Sequence, residues 1–179
     1  MSCALLAVAQ RVPKLVDGLT ANSHEVQLES LEGLALLIDS SREADLSDMG
    51  RIVRERSGCE ALCLLMSDPT EAIHQNAMLV LGNLASERVD ASCTATKEQL
   101  RRIGVMQYLI PHLWSDLYDT LLYALGALLN LCADVAYVDE LQTAQVPTRL
   151  QEISECGDNH LERFAKGCLH NIREAILQL

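Results

Sequence analysis

A few pairs of side chains in this sequence have the types and spacing that chemistry uses. His112 and Asp116, in "HLWSD", stand four residues apart, which on a helix would bring an imidazole and a carboxylate to one face. That is the elementary form of a general base with its orienting group, and equally the form of an ordinary surface pair. His170 follows Cys168 by two residues. A thiol activated by imidazole needs the two within hydrogen-bond reach, and residues two apart on a helix do not face each other. Cys59 and Cys63, four apart, would share a helix face, but a structural zinc needs four ligands and the nearest histidine, His74, lies beyond the turn "SDP". There is no G-x-S-x-G elbow, glycine-rich phosphate loop or H-E-x-x-H in the chain. The expectation is a protein that is not an enzyme and uses no metal and no cofactor.

A different polar residue recurs with a pattern. The segment "LYALGALLNLCAD" (122–134) carries Asn130 deep in an oily run; "NAMLVLGNLASE" (76–87) carries Asn83 and "FAKGCLHNIREA" (164–175) carries Asn171. Asn83 and Asn130 are 47 residues apart, Asn130 and Asn171 are 41. Six residues before each stands an alanine (Ala77, Ala124, Ala165), and two before each a leucine (Leu81, Leu128, Leu169). One after stands Leu84, Leu131 or Ile172. A further step of 47 back from Asn83 reaches Leu36 in "LESLEGLALLIDSS", where Ser30, Leu34 and Leu37 keep the small and leucine positions but the asparagine is missing. An amide offers a donor and an acceptor together and has no charge to desolvate, so it matches a backbone N–H/C=O pair.

The elements that would position these amides are helices. Composition is 49% hydrophobic but only 3% aromatic, which favours helix over strand. Ahead of the Asn-bearing segments lie "VPKLVDGLTANSHEV" (12–26), "CEALCLLMSDPTEAI" (59–73), "VMQYLIPHLWSDLYD" (105–119) and "VPTRLQEISECGDNH" (146–160), each an apolar helix that breaks at small or acidic residues. Gly58 and Gly104 precede two of them, where a sharp turn calls for positive φ. Short amphipathic pieces come earlier still: "LSDMGRIVRERSG" (46–58), "TKEQLRRIG" (96–104) and "VAYVDELQTAQ" (135–145). The unit is a short helix, a medium helix and a long buried helix, with a period of 41–47 residues.

With Gly58, "EALCLLMSDPTEAI" and "QNAMLVLGNLAS", then Gly104, "MQYLIPHLWSD" and "LYALGALLNLCAD", the chain resembles the armadillo-repeat family. HEAT repeats, with two helices per unit, are the structural alternative. The resemblance implies an all-α fold, a right-handed α-α superhelix of about four three-helix repeats, forming one domain over 1–179 with approximate repeats 1–45, 46–92, 93–134 and 135–179. In the family the third helices line a concave face, and their asparagines hydrogen-bond the backbone of an extended peptide. Carried over, these are Asn83, Asn130 and Asn171. Positions four and seven before each share its face, which adds Leu79 and Asn76, Gly126 and Tyr123, then Gly167 and Phe164; the first repeat would add Glu29 and Glu32. An equal alternative is that each Asn ties down the loop after it, and that Tyr123 and Phe164 pack between repeats. Carriers of the importin type place tryptophan four residues before the Asn. Leu79, Gly126 and Gly167 stand there instead, which argues against a basic nuclear-localisation peptide, while the two glycines would leave room on the groove floor.

The implied function is a protein-interaction module that binds a peptide or helix of a partner, with one or more proteins as partners. The alternative is a structural subunit docked into a larger assembly through apolar ends or its convex face. The start, "CALLAV", and the end, "REAILQL" with Ile172, Ile176 and Leu179 at helical spacing, show no polar cap. A net charge of −11 argues against direct nucleic-acid binding, and no run of apolar residues is long enough to span a membrane. The apolar opening reads as a first helix rather than a signal peptide. Seven cysteines, an odd number at irregular spacing, point to free thiols in the cytosol or nucleus; the acid-poor, Arg-bearing opening leaves organelle import open. The polar stretch 86–98, with Cys93, is the expected flexible loop.

Overall fold

The computed structural model describes residues 3–41 and 43–179, with side chains from 10–41 and 46–179; the side chains of the opening "CALLAV" lie outside the described residues. Every regular element among them is helical, and no helix is long and apolar enough to cross a membrane. The chain divides into two compact units, 1–105 and 106–179. The first holds α1 (Cys3–Gly18), α2 (His24–Ser40), α3 (Glu43–Glu55), α4 (Gly58–Leu65), α5 (Glu71–Leu84) and α6 (Cys93–Ile103). The second holds α7 (Met106–Leu109), which runs into a 3-10 segment Ile110–Trp114, then α8 (Tyr118–Leu131), a 3-10 turn Val135–Tyr137, α9 (Val138–Thr143), α10 (Val146–Ile153) and α11 (Asn159–Ile176).

In the first unit α2 and α5 lie against each other, α1 packs on α2 and α3, and α4 and α3 both meet α6. Leu31 and Leu34 of α2 and Ile73, Met78 and Leu81 of α5 are all buried, in a core from which solvent is excluded. In the second, α8 and α11 form the main pair, with α10 against α11. The small residue that recurs six positions before each Asn has a packing reason. Ala77, Ala124 and Ala165 are all at 0% exposure, where only a methyl group lets neighbouring helices approach closely. The recurring leucines Leu81 and Leu128 are buried as well, each such side chain contributing roughly 1.5–3 kcal/mol.

The turns depart from expectation at one glycine and follow it at the other. Gly104 has φ +77° and closes α6. Before α4, however, the left-handed residue is Ser57 at φ +56°, and Gln145 at φ +55° takes the matching place before α10. Gly58 is required for a different reason: a Cβ there would lie 2.8 Å from the Val53 carbonyl oxygen and 2.7 Å from Val53 Cγ1. It is a close-approach glycine rather than a turn glycine.

The expected flexible loop is anchored. Residues 93–98 already belong to α6, and Asp90 is completely buried. Its carboxylate accepts from the Ser92 backbone N–H at 2.7 Å and pairs with Arg54 Nη1 at 3.2 Å, which also donates to Thr96 Oγ1 at 2.7 Å. Gly50 of α3 makes room, since a Cβ there would sit 2.1 Å from Asp90 Oδ2.

Candidate functional site

The expected positions on α5, Asn76, Leu79 and Asn83, are all half-buried, while Ala77, Met78, Val80 and Leu81 between them are buried. They therefore share one stripe of the helix, at the edge of its packed face. The same holds on α8 for Tyr123, Gly126 and Asn130, and on α11 for Phe164, Gly167 and Asn171. Within each helix the structure brings the predicted residues to one face.

Their amides are used differently. Asn76 Nδ2 donates to the Ala72 carbonyl of its own helix at 2.8 Å. Asn130 Nδ2 reaches the Gly126 carbonyl at a long 3.4 Å. Asn171 Nδ2 donates to the Leu129 carbonyl at 2.9 Å, joining α11 to α8. Leu129 is among the last residues of α8, whose carbonyls the helix itself leaves without partners. Asn171 thus ties down a helix end, but that of the preceding long helix rather than the loop after itself. Asn83 is the exception: no hydrogen bond joins its amide to another described residue.

The space expected over the two glycines is taken at Gly167 and left at Gly126. A Cβ on Gly167 would meet Leu129 Cδ1 at 2.8 Å, and one on Gly126 would lie 3.9 Å from Phe164 Cε1. The helices α8 and α11 approach closely at Gly167, where Leu129 lies over the glycine, and leave room for a methyl group at Gly126. Phe164 also carries the Arg163 guanidinium, 5.3 Å from its ring centroid, within cation–π range. The α2 positions Glu29 and Glu32 are exposed, and neither α2 nor α5 contains a lysine or arginine.

The residues considered for chemistry do not assemble. His112 sits in the 3-10 segment, which ends before Asp116, so the helix face that the spacing required is absent. Cys168 is fully buried while His170 is exposed. Burial pushes the Cys59 and Cys63 thiols up to about 12. Cys168 is raised well above its ordinary value, by burial first and then by its contact with Cys132. These groups stay protonated and un-nucleophilic at neutral pH. At the carboxyl end Ile172 is buried at 2% exposure, contrary to its expected place in an open apolar end; Ile176, Leu177 and Leu179 are exposed.

Sequence reasoning missed the Asp68 cluster. His24 Nε2 lies 3.2 Å from Asp68 Oδ2, the Thr70 N–H donates to Asp68 Oδ1 at 2.8 Å, and His74 Nδ1 is 2.9 Å from the Asp68 carbonyl. Burial opposes the Asp68 charge, yet the Thr70 N–H and hydroxyl, with the nearby histidines, hold its carboxyl below the usual range. The "SDPT" turn was the available signal, an Asx-turn before a helix, with His74 six residues on; the other histidine, His24, comes from a distant point of the chain.

Solved structures share this arrangement of helices. An engineered protein matches with a TM-score of 0.76 at 22% identity, over 92% of this chain and 63% of its own. A designed armadillo repeat protein matches with a TM-score of 0.75 at 18% identity, over 94% of this chain and 68% of its own. The fold is of the armadillo repeat type. A second designed armadillo repeat protein, solved in complex with the peptide (KR)4, matches with a TM-score of 0.74 at 17% identity, over 94% of this chain and 68% of its own. No protein-family model and no curated protein matches the sequence. In armadillo terms α5, α8 and α11 are third helices, and the stripes just described lie on them.

Proposed function

We propose that this armadillo-type chain is a non-catalytic protein-interaction module that binds an extended peptide or helix of a partner along the concave face of its third helices. The repeats 1–45, 46–92, 93–134 and 135–179 would form one binding domain, and the free thiols fit a reducing compartment, cytosol or nucleus. The observation that carries the reading is Asn83: a half-buried amide at the repeating position, with no bond to another described residue. A partly buried polar group gains by pairing, and a peptide backbone would supply both halves of the pair. Asn76, Leu79, Tyr123, Gly126, Asn130, Phe164, Gly167 and Asn171 complete the proposed surface, with Asn171 acting chiefly through its bond to Leu129. The peptide-bound designed protein supports the general use of such a face.

A second reading, a structural subunit docked in a larger assembly, is favoured by Leu177 and Leu179, exposed at 79% and 80%. Peptide display against the full chain separates the two. Selected peptides should lose about tenfold in affinity with Asn83→Ala and with Asn130→Ala/Tyr123→Ala, while circular dichroism stays unchanged. Equal binding by these folded variants would sink the groove reading.

A further inference from the structure

Away from the third helices, the second unit has an open groove between α7 with its 3-10 extension and α9, with a volume of about 450 Å³. Ile110 and Pro111 form its apolar wall, over the fully buried Met106; Asp139 and Glu140 stand on the α9 side, with Thr143 and Ala144 completing it. Both carboxylates are exposed, and neither forms an ion pair or a side-chain hydrogen bond with another described residue. The elements that line the groove contain no lysine or arginine. Arg149, on the α10 that packs against α9 and the 3-10 segment, is engaged elsewhere: it donates to the Leu113 carbonyl at 2.9 Å and to Glu152 at 3.0 Å.

The groove at the same point of the preceding repeat makes a control within the molecule. It lies between α4 and α6, with Glu60 on one side and Glu98, Gln99 and Arg102 on the other. There the acids are satisfied internally. Gln99 Nε2 lies 3.1 Å from Glu60 Oε1, and Glu98 is paired with Arg102 at 3.0 Å and with Arg101. One groove is electrostatically closed by its own helices; the other presents two unpaired negative charges beside an apolar wall.

We infer that the α7/α9 groove docks a partner-protein segment in which an arginine or lysine is followed by an apolar side chain. The apolar stem of the basic residue would lie on Ile110 and Pro111 while its cationic head reaches Asp139 and Glu140, the arrangement long basic side chains adopt at an apolar–water boundary. Arginine fits best, because a planar guanidinium can engage carboxylates through paired donors and sheds water more readily than an ammonium. This site uses no residue of α5, α8 or α11, so it stands or falls apart from the peptide-groove reading.

The test is a methyl-resolved NMR titration of the full chain with N-acetyl-Arg-Leu-amide, with N-acetyl-Glu-Leu-amide as the charge-inverted probe. Saturable shifts at the Met106 and Ile110 methyls are expected with the first. Binding should be at least about tenfold weaker with the second, and with the first on an Asp139→Asn/Glu140→Gln variant. Raising the salt from about 0.05 to 0.5 M should weaken it severalfold, since the charges are exposed. No shift at Met106 and Ile110, or equal shifts with both probes, overturns the inference. Sedimentation equilibrium covers the remaining occupant: a dimer of the wild type that dissociates in the double variant would mean that the groove holds a second copy, and would overturn it too. Both substituted residues are surface groups without protein partners, so an unchanged melting temperature should confirm that the variant is folded.

Discussion

In the unit 1–105 distant segments are tied together by charge, Arg54 to Asp90 across 36 residues and Arg56 to Asp17 across 39, and the His24 ring meets the Asp68 carboxylate. In the unit 106–179 the ion pairs are local, Arg149 with Glu152 and Lys166 with Glu162. Its long-range polar ties run mainly from side chains to backbone carbonyls, Arg149 to Leu113 and Asn171 to Leu129, beside one long, exposed bond from the Tyr118 hydroxyl to the Asp158 carboxylate at 3.5 Å. Two repeat stretches of similar helical pattern thus solve the same problem, fixing helix ends and loops, with different chemistry. The first solution should respond to pH and to loss of a charged partner; the second should not.

The largest effect should come from Asp90→Ala. It leaves the Arg54 guanidinium, only 15% exposed, without its carboxylate, and removing one partner of a buried pair costs about 3–5 kcal/mol. Chemical denaturation would read that loss directly. Its counterpart in the other unit, Asn171→Ala, removes a neutral donor from a carbonyl and should cost about 1–2 kcal/mol. If the two losses were equal, the contrast between charge-tied and carbonyl-tied units would fail.

Acid should separate the units as well. The Asp68 carboxyl is held below its ordinary value in the folded chain, so it stabilises the fold above the unfolded aspartate pKa of about 4. That contribution disappears as pH falls through the lower folded value. Asp68→Asn should therefore cost about 1 kcal/mol at neutral pH, and the gap from wild type should close below the ordinary aspartate range. A gap that persisted unchanged in acid would show that the variant acts through packing instead. Similar in size but opposite in sign, Ser57→Gly should raise stability by about 1 kcal/mol by relieving a left-handed serine, visible as a higher melting temperature.

How much of this could be read from the sequence follows from how local each feature is. The alanine and leucine positions around Asn83, Asn130 and Asn171 repeat because each helix packs on a like neighbour, so periodicity exposed the helices, and the resemblance to the armadillo-repeat family implied their arrangement. The stripes on α5, α8 and α11 followed from helical spacing. The partners of those residues did not: that Leu129 would cover Gly167 and hand its carbonyl to Asn171 depends on side chains 38 and 42 residues apart. The anchored stretch around Asp90 was mistaken for a flexible loop for the same reason. Its polar composition is that of a loop, and only the arrival of Arg54 from α3 and the gap at Gly50 make burial of the carboxylate affordable. Likewise, positive φ fell on Ser57 rather than Gly58, because crowding by Val53 had already claimed the glycine.

The smallest expected effect is the most informative for function. Asn83 and Asn171 occupy the same point of the repeating pattern, but of the two side-chain amides only that of Asn171 bonds another described residue. Asn83→Ala should therefore change folding stability by less than about 0.5 kcal/mol, as for a surface group with no special contact, while Asn171→Ala costs more. A residue that is half-buried, polar and dispensable for folding has its use outside the fold. Should Asn83→Ala prove as destabilising as Asn171→Ala, the amide would be serving the helix after all, and the argument for a backbone-binding face on α5 would lose its main support.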